Sequence, residues 1–213
     1  MASSGLGAVE AKSHSLYWGV SSGFGSTTWS QIVTPRNDPS DPSRPYNPAV
    51  LSAPIGAKEG GVAWRVLFGD RLLKNFSVQL EYTHFPRSTF TIAAYSLYPQ
   101  FKGKSTPTVI PTRTDAVDVL GKFYITPPHL MRTHFFADLG VSYTRRRDML
   151  DRGGSLGAVF GCGANYDVSD GYKLTVDAQV NTGYGKSELL PADDYIPFVY
   201  SVQLGVQHQF GLT

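Results

Sequence analysis

The chain has 213 residues, a formal net charge of +2 and 41% hydrophobic residues, and no run approaches the roughly 18 consecutive apolar residues of a membrane helix. A helical membrane protein is thereby excluded, and the near-neutral balance gives no pull toward nucleic acid. A single Cys excludes an internal disulfide and a cysteine-based metal site, while 22 Gly, 12 Tyr, 12 Phe and 3 Trp give the profile of an aromatic-rich β protein.

Residues 1–13 are small and polar and read as a flexible leader. They hold no basic segment followed by an apolar one, so an export signal would already have been removed. Residues 14–213 read as one domain of alternating strands, because a strand sends successive side chains to opposite faces. The first strand, about 14–29, sets Leu16, Trp18, Val20 and Phe24 against Tyr17, Gly19, Ser21 and Gly23. Residues 30–60 carry six prolines from Pro35 to Pro54 and read as a long loop.

The second strand, about 61–69, alternates Val62, Trp64, Val66 and Phe68 with Ala63, Arg65 and Leu67. A short turn over 70–75 leads to the third, 76–85, with Val78, Leu80 and Tyr82 on one face and Ser77, Gln79 and Glu81 on the other. Residues 86–114 form a second long loop, of which 89–98 have strand-like content suited to extending strands beyond the bilayer. The fourth strand, about 116–125, places Asp118, Leu120 and Lys122 opposite Val117, Val119 and Phe123.

After a turn at 126–134 comes the fifth strand, 135–144, with Asp138, Gly140 and Ser142 on its polar face. Its basic tip, Arg145, Arg146 and Arg147, opens a third long loop ending at Gly154. The sixth strand, 155–168, turns tightly through Ser169-Asp170-Gly171 into the seventh, 172–184, which sets Thr175, Asp177 and Gln179 against Leu174, Val176 and Val180. A fourth loop, 185–197, precedes the last strand, 198–210, in which Phe198, Tyr200, Val202, Leu204 and Val206 alternate with Val199, Ser201, Gln203 and Gly205.

Connections therefore alternate long and short, and all 14 prolines fall between strands on this reading. Only an up-and-down meander puts every long connection on one end. The fold class is all-β: an eight-stranded antiparallel up-and-down transmembrane β-barrel. A soluble barrel of the lipocalin kind would alternate equally well, with its apolar face inside. Three features favour the membrane form. The polar face is rich in Gly, Ser, Gln and Asn. The apolar face carries no Asp, Glu, Lys or Arg in mid-strand. Aromatics gather at the strand ends, as at a water–lipid boundary: Tyr17, Trp18, Phe68, Phe123 and Phe210 at the short-turn end, with Phe24, Trp29, Phe85, Tyr143 and Tyr184 toward the other.

With four long loops on one side, three tight turns on the other and a last strand ending in Phe210, the chain resembles a small bacterial outer-membrane barrel. The likeness is to the transmembrane domain of the OmpA family and its OmpX-like relatives. It covers nearly the whole chain as an architecture and rests on no unique motif. The stretch 202–210 is similar to the C-terminal signal read by the barrel-assembly machinery, although Gly211-Leu212-Thr213 follow the Phe. The resemblance implies an outer-membrane location, contact with outer-membrane lipid and lipopolysaccharide, and host surface molecules as candidate partners. It implies no enzyme activity, and neither residues nor resemblance point to a cofactor or metal. No peptidoglycan-binding domain follows, so that activity is not carried over.

The predicted lumen charges are Arg65, Glu81, Asp118, Lys122, Asp138 and Asp177. Buried charges need partners, so a network is expected. The family likeness implies a Glu–Lys gate for which Glu81 and Lys122 are the matching residues, with a permanent plug as the alternative. Arg145, Arg146 and Arg147 form a candidate anion-binding loop for lipopolysaccharide phosphates or acidic glycans. The function expected is a non-enzymatic envelope and adhesion protein, with a narrow pore and a lipid-modifying enzyme as alternatives. The enzyme reading points to His84 at the outer rim, with Ser88 or Asp115 as its partner.

Overall fold

The computed structural model describes residues 15–28, 30, 54–92, 108–125, 127, 132–147, 153–182 and 198–211. Among them are ten strands: β1 (Ser15–Thr27), β2 (Pro54–Lys58), β3 (Gly61–Leu73), β4 (Phe76–His84), β5 (Ser88–Ile92), β6 (Thr108–Ile125), β7 (Thr133–Arg147), β8 (Gly154–Ser169), β9 (Tyr172–Asn181) and β10 (Val199–Gly211). Eight of them close a barrel, each antiparallel to its neighbours, in the order β1-β3-β4-β6-β7-β8-β9-β10. Closure comes from β1, which pairs with β3 on one side and with β10 on the other, Ser15 facing Gly211 and Thr27 facing Val199. A closed sheet leaves no edge unpaired, which is the condition for a strand structure in lipid.

The apolar faces look outward. Val78 is 38% exposed, Leu80 51%, Val202 51% and Leu204 60%, whereas Gln79, Glu81 and Gln203 are each about 1% exposed. The soluble, inside-apolar alternative is excluded by this arrangement: a wall of uncovered Val, Leu and Phe requires a hydrocarbon solvent. Two rings assigned from sequence to the girdles instead lie inside. Tyr17 is buried, its phenol donating to Gln79 Oε1 at 2.9 Å, and Phe85 is fully buried at the other end. Trp18, Phe68, Phe123 and Phe210 remain outward, as do Phe24 and Tyr143. Trp29, Tyr184, the leader and most of the long connections lie outside the described residues.

The remaining strands, β2 and β5, are not part of the wall. They pair with each other, and β5 also pairs with the first residues of β6, Ser88 facing Thr112 and Ile92 facing Thr108. This three-stranded ribbon continues β3, β4 and β6 past the barrel at the long-connection end. Gly60, at φ +83°, marks the bend between β2 and β3, a conformation that suits a residue without Cβ. The fourth predicted strand thus begins at Thr108 rather than Ala116, and it contains Pro111. Pro54 likewise opens β2. Neither violates ladder chemistry. Pro111 pairs with Thr89 on one side, and β7 joins the other side only from Arg113. Proline is tolerated at such an edge or at a strand's first residue.

Inward glycines let the wall fold tightly on itself. A Cβ on Gly140 would collide with the Val119 carbonyl oxygen and Leu120 Cα of β6, which are backbone and cannot swing away. Gly140→Ala is therefore expected to destabilise the barrel by about 1–3 kcal/mol, as overpacking does. Gly56→Ala, whose Cβ would meet only Thr91 at 4.0 Å, is expected to be neutral. The fraction of refolded protein showing heat-modifiable gel migration measures both, and equal refolding of the two variants would contradict the packing argument.

Candidate functional site

The six charges expected in the lumen are all buried, between 0% and 7% exposed. They sit there because the strand register puts them at inward positions, and they form two clusters with one further carboxylate. In the first, Arg65 of β3 reaches across the lumen. Its Nη1 donates to Asp177 Oδ2 of β9 at 2.6 Å, and its Nε lies 3.3 Å from Glu81 Oε2 of β4. The guanidinium also donates to Thr83 Oγ1 at 3.1 Å, Gln179 Oε1 at 2.6 Å and Ser201 Oγ at 3.2 Å. Glu81 in turn accepts from Gln179 Nε2 at 2.9 Å and from Gln79 Nε2. A buried carboxylate is held cheaply only when its lone pairs are filled this way.

The second cluster is Lys122 of β6 with Asp138 of β7. The two are opposite in register, Nζ standing 3.6 Å from Asp138 Oδ2 and 4.0 Å from the centre of the Phe136 ring. Asp118 has no cation within ion-pair reach among the described residues. Asn181 Nδ2 donates to the Asp118 carboxylate, standing 2.9 Å from each oxygen, and lies 3.0 Å from Ser142 Oγ.

Glu81 and Lys122 do not meet. The register explains it: Glu81 faces Asp118, while Lys122 faces Ser77, four residues further along β4. Four residues span roughly 13 Å of strand. Each finds a nearer partner instead, Glu81 in Arg65 and Lys122 in Asp138.

Among the described residues, side chains occupy the barrel interior. Phe85, Phe90, Ile110 and Val199 are buried at the long-connection end. At the opposite end a void bounded by Tyr17, Tyr124, Asn165 and Gln207 measures about 10 Å³, room for about one water. An eight-stranded barrel has an interior that side chains can just fill.

The arginine run does not behave as a loop. It ends β7, so its members alternate. Arg145 and Arg147 point outward and are exposed, while Arg146 points inward, is 2% exposed and lies 6.0 Å from the Phe90 ring. Arg146 is therefore removed from the candidate anion-binding group, whose three members are all expected at the surface. Arg145 and Arg147 stand directly opposite Asp115 and Arg113 of β6. Arg113 was hidden from sequence reading by Pro111, which made that segment look like loop. Asp115 is the centre of the outer-rim group: His84 Nδ1 lies 2.6 Å from its Oδ1, the Tyr82 phenol donates to the same oxygen at 2.9 Å, and Arg113 Nε stands 3.5 Å from Oδ2. The Trp64 ring lies 5.4 Å from His84. Ser88, the other partner considered for His84, is buried inside with its hydroxyl 3.0 Å from Thr27 Oγ1. The pair His84–Asp115 is thus real as a contact and lacks its serine.

At the short-turn end, His134 Nε2 lies 3.0 Å from Asp167 Oδ2, and Lys173 Nζ is 3.6 Å from the other oxygen of that carboxylate. His208 lies against the Tyr172 ring at 4.5 Å and Phe210 at 4.7 Å. His14 and His129 are outside the described residues. Cys162 is exposed on the outer wall.

Neither a protein-family model nor a curated protein matches this sequence. Solved structures do. Neisserial surface protein A (NspA) is similar over 92% of this chain and 97% of its own, at 13% identity and a TM-score of 0.56. The outer membrane protein OprG from Pseudomonas aeruginosa is similar over 94% of this chain and 97% of its own, at 13% identity and a TM-score of 0.54. At that identity the likeness is one of fold. Joined to the closed eight-stranded wall and its outward apolar face, it makes this chain a small eight-stranded β-barrel of the bacterial outer-membrane type.

Proposed function

We propose that the chain is a sealed, non-enzymatic outer-membrane barrel that serves the envelope structurally and presents its outer end for contact with molecules outside the cell. The observation supporting it is the Arg65–Glu81–Asp177 bridge, which ties three strands together across the lumen with every member buried. A conducting gate would need these groups to change partners, yet Glu81 and Lys122 each hold a nearer one. The ribbon of β2, β5 and early β6 favours the contact role, since it carries strand pairing beyond the bilayer-spanning wall. Of the two partners considered for His84 in the enzyme reading, Asp115 is in contact and Ser88 faces the lumen.

Planar-bilayer recording tests this reading together with adhesion of bacteria displaying the chain. No steady conductance steps are expected, and adhesion should fall when residues 88–112 are replaced by a short turn. Stable single-channel steps would overturn the seal, and unchanged adhesion would overturn the contact role.

A further inference from the structure

On the outer wall, just past the aromatic belt, three adjacent strands bring Arg113, Arg145, Arg147 and His84 around a single carboxylate. Positions Arg113 and Arg147 are directly opposite in register, as are Asp115 and Arg145, and His84 and Asp115. All of them alternate outward with the rings and aliphatic groups below: Tyr143 and Val141 on β7, Val117 and Val119 on β6, Tyr82 and Leu80 on β4. Asp115 lies two residues beyond Val117, so the group sits roughly 7 Å along the strand past the Val119–Val117 run, with Val109 a further outward apolar side chain beyond it. That is headgroup level, not hydrocarbon and not the far ends of the loops.

Among the described residues the charges at this level do not balance. Three outward arginines stand beside one carboxylate, and that carboxylate is already engaged by His84, the Tyr82 phenol and Arg113. Among the described residues no carboxylate partners Arg145 or Arg147. Like charges directly across a strand pair destabilise it, so the Arg113–Arg147 pairing is a standing cost to the protein alone. An anion between the two guanidiniums turns that cost into attraction, and guanidinium forks match phosphate oxygens two at a time.

We propose that this outer-wall cluster binds the phosphate of an anionic lipid headgroup in the outer leaflet, with Arg113, Arg145 and Arg147 as the phosphate ligands. Asp115 is a positioning residue: it anchors Arg113, and its bonds to His84 and Tyr82 fix it to β4. The Trp64 ring beside His84 and the Tyr82 ring below it flank the lipid's glycosyl or glycerol region at the boundary. A free phosphate ion meets the same guanidiniums but gains nothing from the adjoining apolar wall, so the lipid is the ligand of choice.

The test uses the whole refolded chain in neutral detergent micelles. Thermal unfolding and native mass spectrometry are read with diphosphoryl lipid A, with the same lipid stripped of phosphate, and with inorganic phosphate. The parent chain should retain diphosphoryl lipid A and gain thermal stability from it, with no gain from inorganic phosphate at equal concentration. Arg113→Gln with Arg145→Gln and Arg147→Gln should weaken that retention by about a hundredfold, following roughly fivefold for each arginine near an anionic lipid surface. The single variant Arg147→Gln should be at least as stable as the parent without lipid, since the repulsion is relieved, and should gain less on adding it. Lys74→Gln with Arg132→Gln, at the opposite rim, should bind like the parent. Equal retention of the dephosphorylated lipid, equal binding by the triple variant, or an Arg147→Gln chain less stable without lipid would each overturn the proposal. An equal gain from inorganic phosphate would reject the lipid as its source.

Discussion

Arg65→Met should cost the folded barrel about 3–5 kcal/mol, the usual penalty for removing one partner of a buried ion pair. The size follows from what is left behind. Glu81 and Asp177 would both remain buried with no cation in place of the guanidinium, and Gln179 and Ser201 would lose their donor. Urea unfolding in lipid vesicles, followed by the folded band on gels, measures the loss. A compensated chain provides the internal check. Arg65→Met combined with Glu81→Gln and Asp177→Asn removes all three charges, and it should recover most of the stability because no uncompensated ion remains. The account fails if the single variant unfolds at the parent's urea midpoint. It fails equally if the neutralised triple variant is no better than the single one, since the defect would then not be electrostatic.

The second large effect is expected on the opposite face of the wall. Leu204 lies in the middle of β10, is 60% exposed, and neighbours Val176 of β9 and Ser22 of β1. Leu204→Arg should cost about 2–4 kcal/mol in a bilayer, the penalty for a cation at the lipid-facing midplane. Leu204→Ala should cost far less, because the side chain buries little against protein. In a water-soluble barrel, an exposed substitution of this kind would stay within about 0.5 kcal/mol. Refolding equilibria in phospholipid vesicles distinguish the cases directly. A Leu204→Arg chain as stable as Leu204→Ala would mean that this face does not meet hydrocarbon.

The bond between Arg65 and Asp177 illustrates what escapes a linear reading. They are 112 residues apart and lie on strands that are not neighbours. Sequence alternation placed both side chains inward. Which inward charge meets which depends on how far each strand is displaced along the next, and that displacement accumulates around the barrel. Glu81 and Lys122 were on adjacent strands and of opposite sign, yet they stand at different heights. At the rim the sequence offered Asp115 and Ser88 as partners for His84, and strand pairing chose Asp115. Tyr82 and Arg113 as its further partners were not legible, and Pro111 disguised the strand segment that carries Arg113. Arg145, Arg146 and Arg147 read as one basic patch until strand pairing extended through them, which sent the middle one inside.

The eight strands of the wall, the two faces of each and the outward turn of the apolar one were all determined by the sequence itself. Those properties come from a two-residue period and from the solvent each face needs, and both are local to a strand. The tertiary structure alone decided the pairing of the lumen charges, the burial of Tyr17 and Phe85, and the register that sets Arg145 and Arg147 across from Asp115 and Arg113. These depend on register between strands, which closure of the barrel sets for all eight at once and which no single strand encodes.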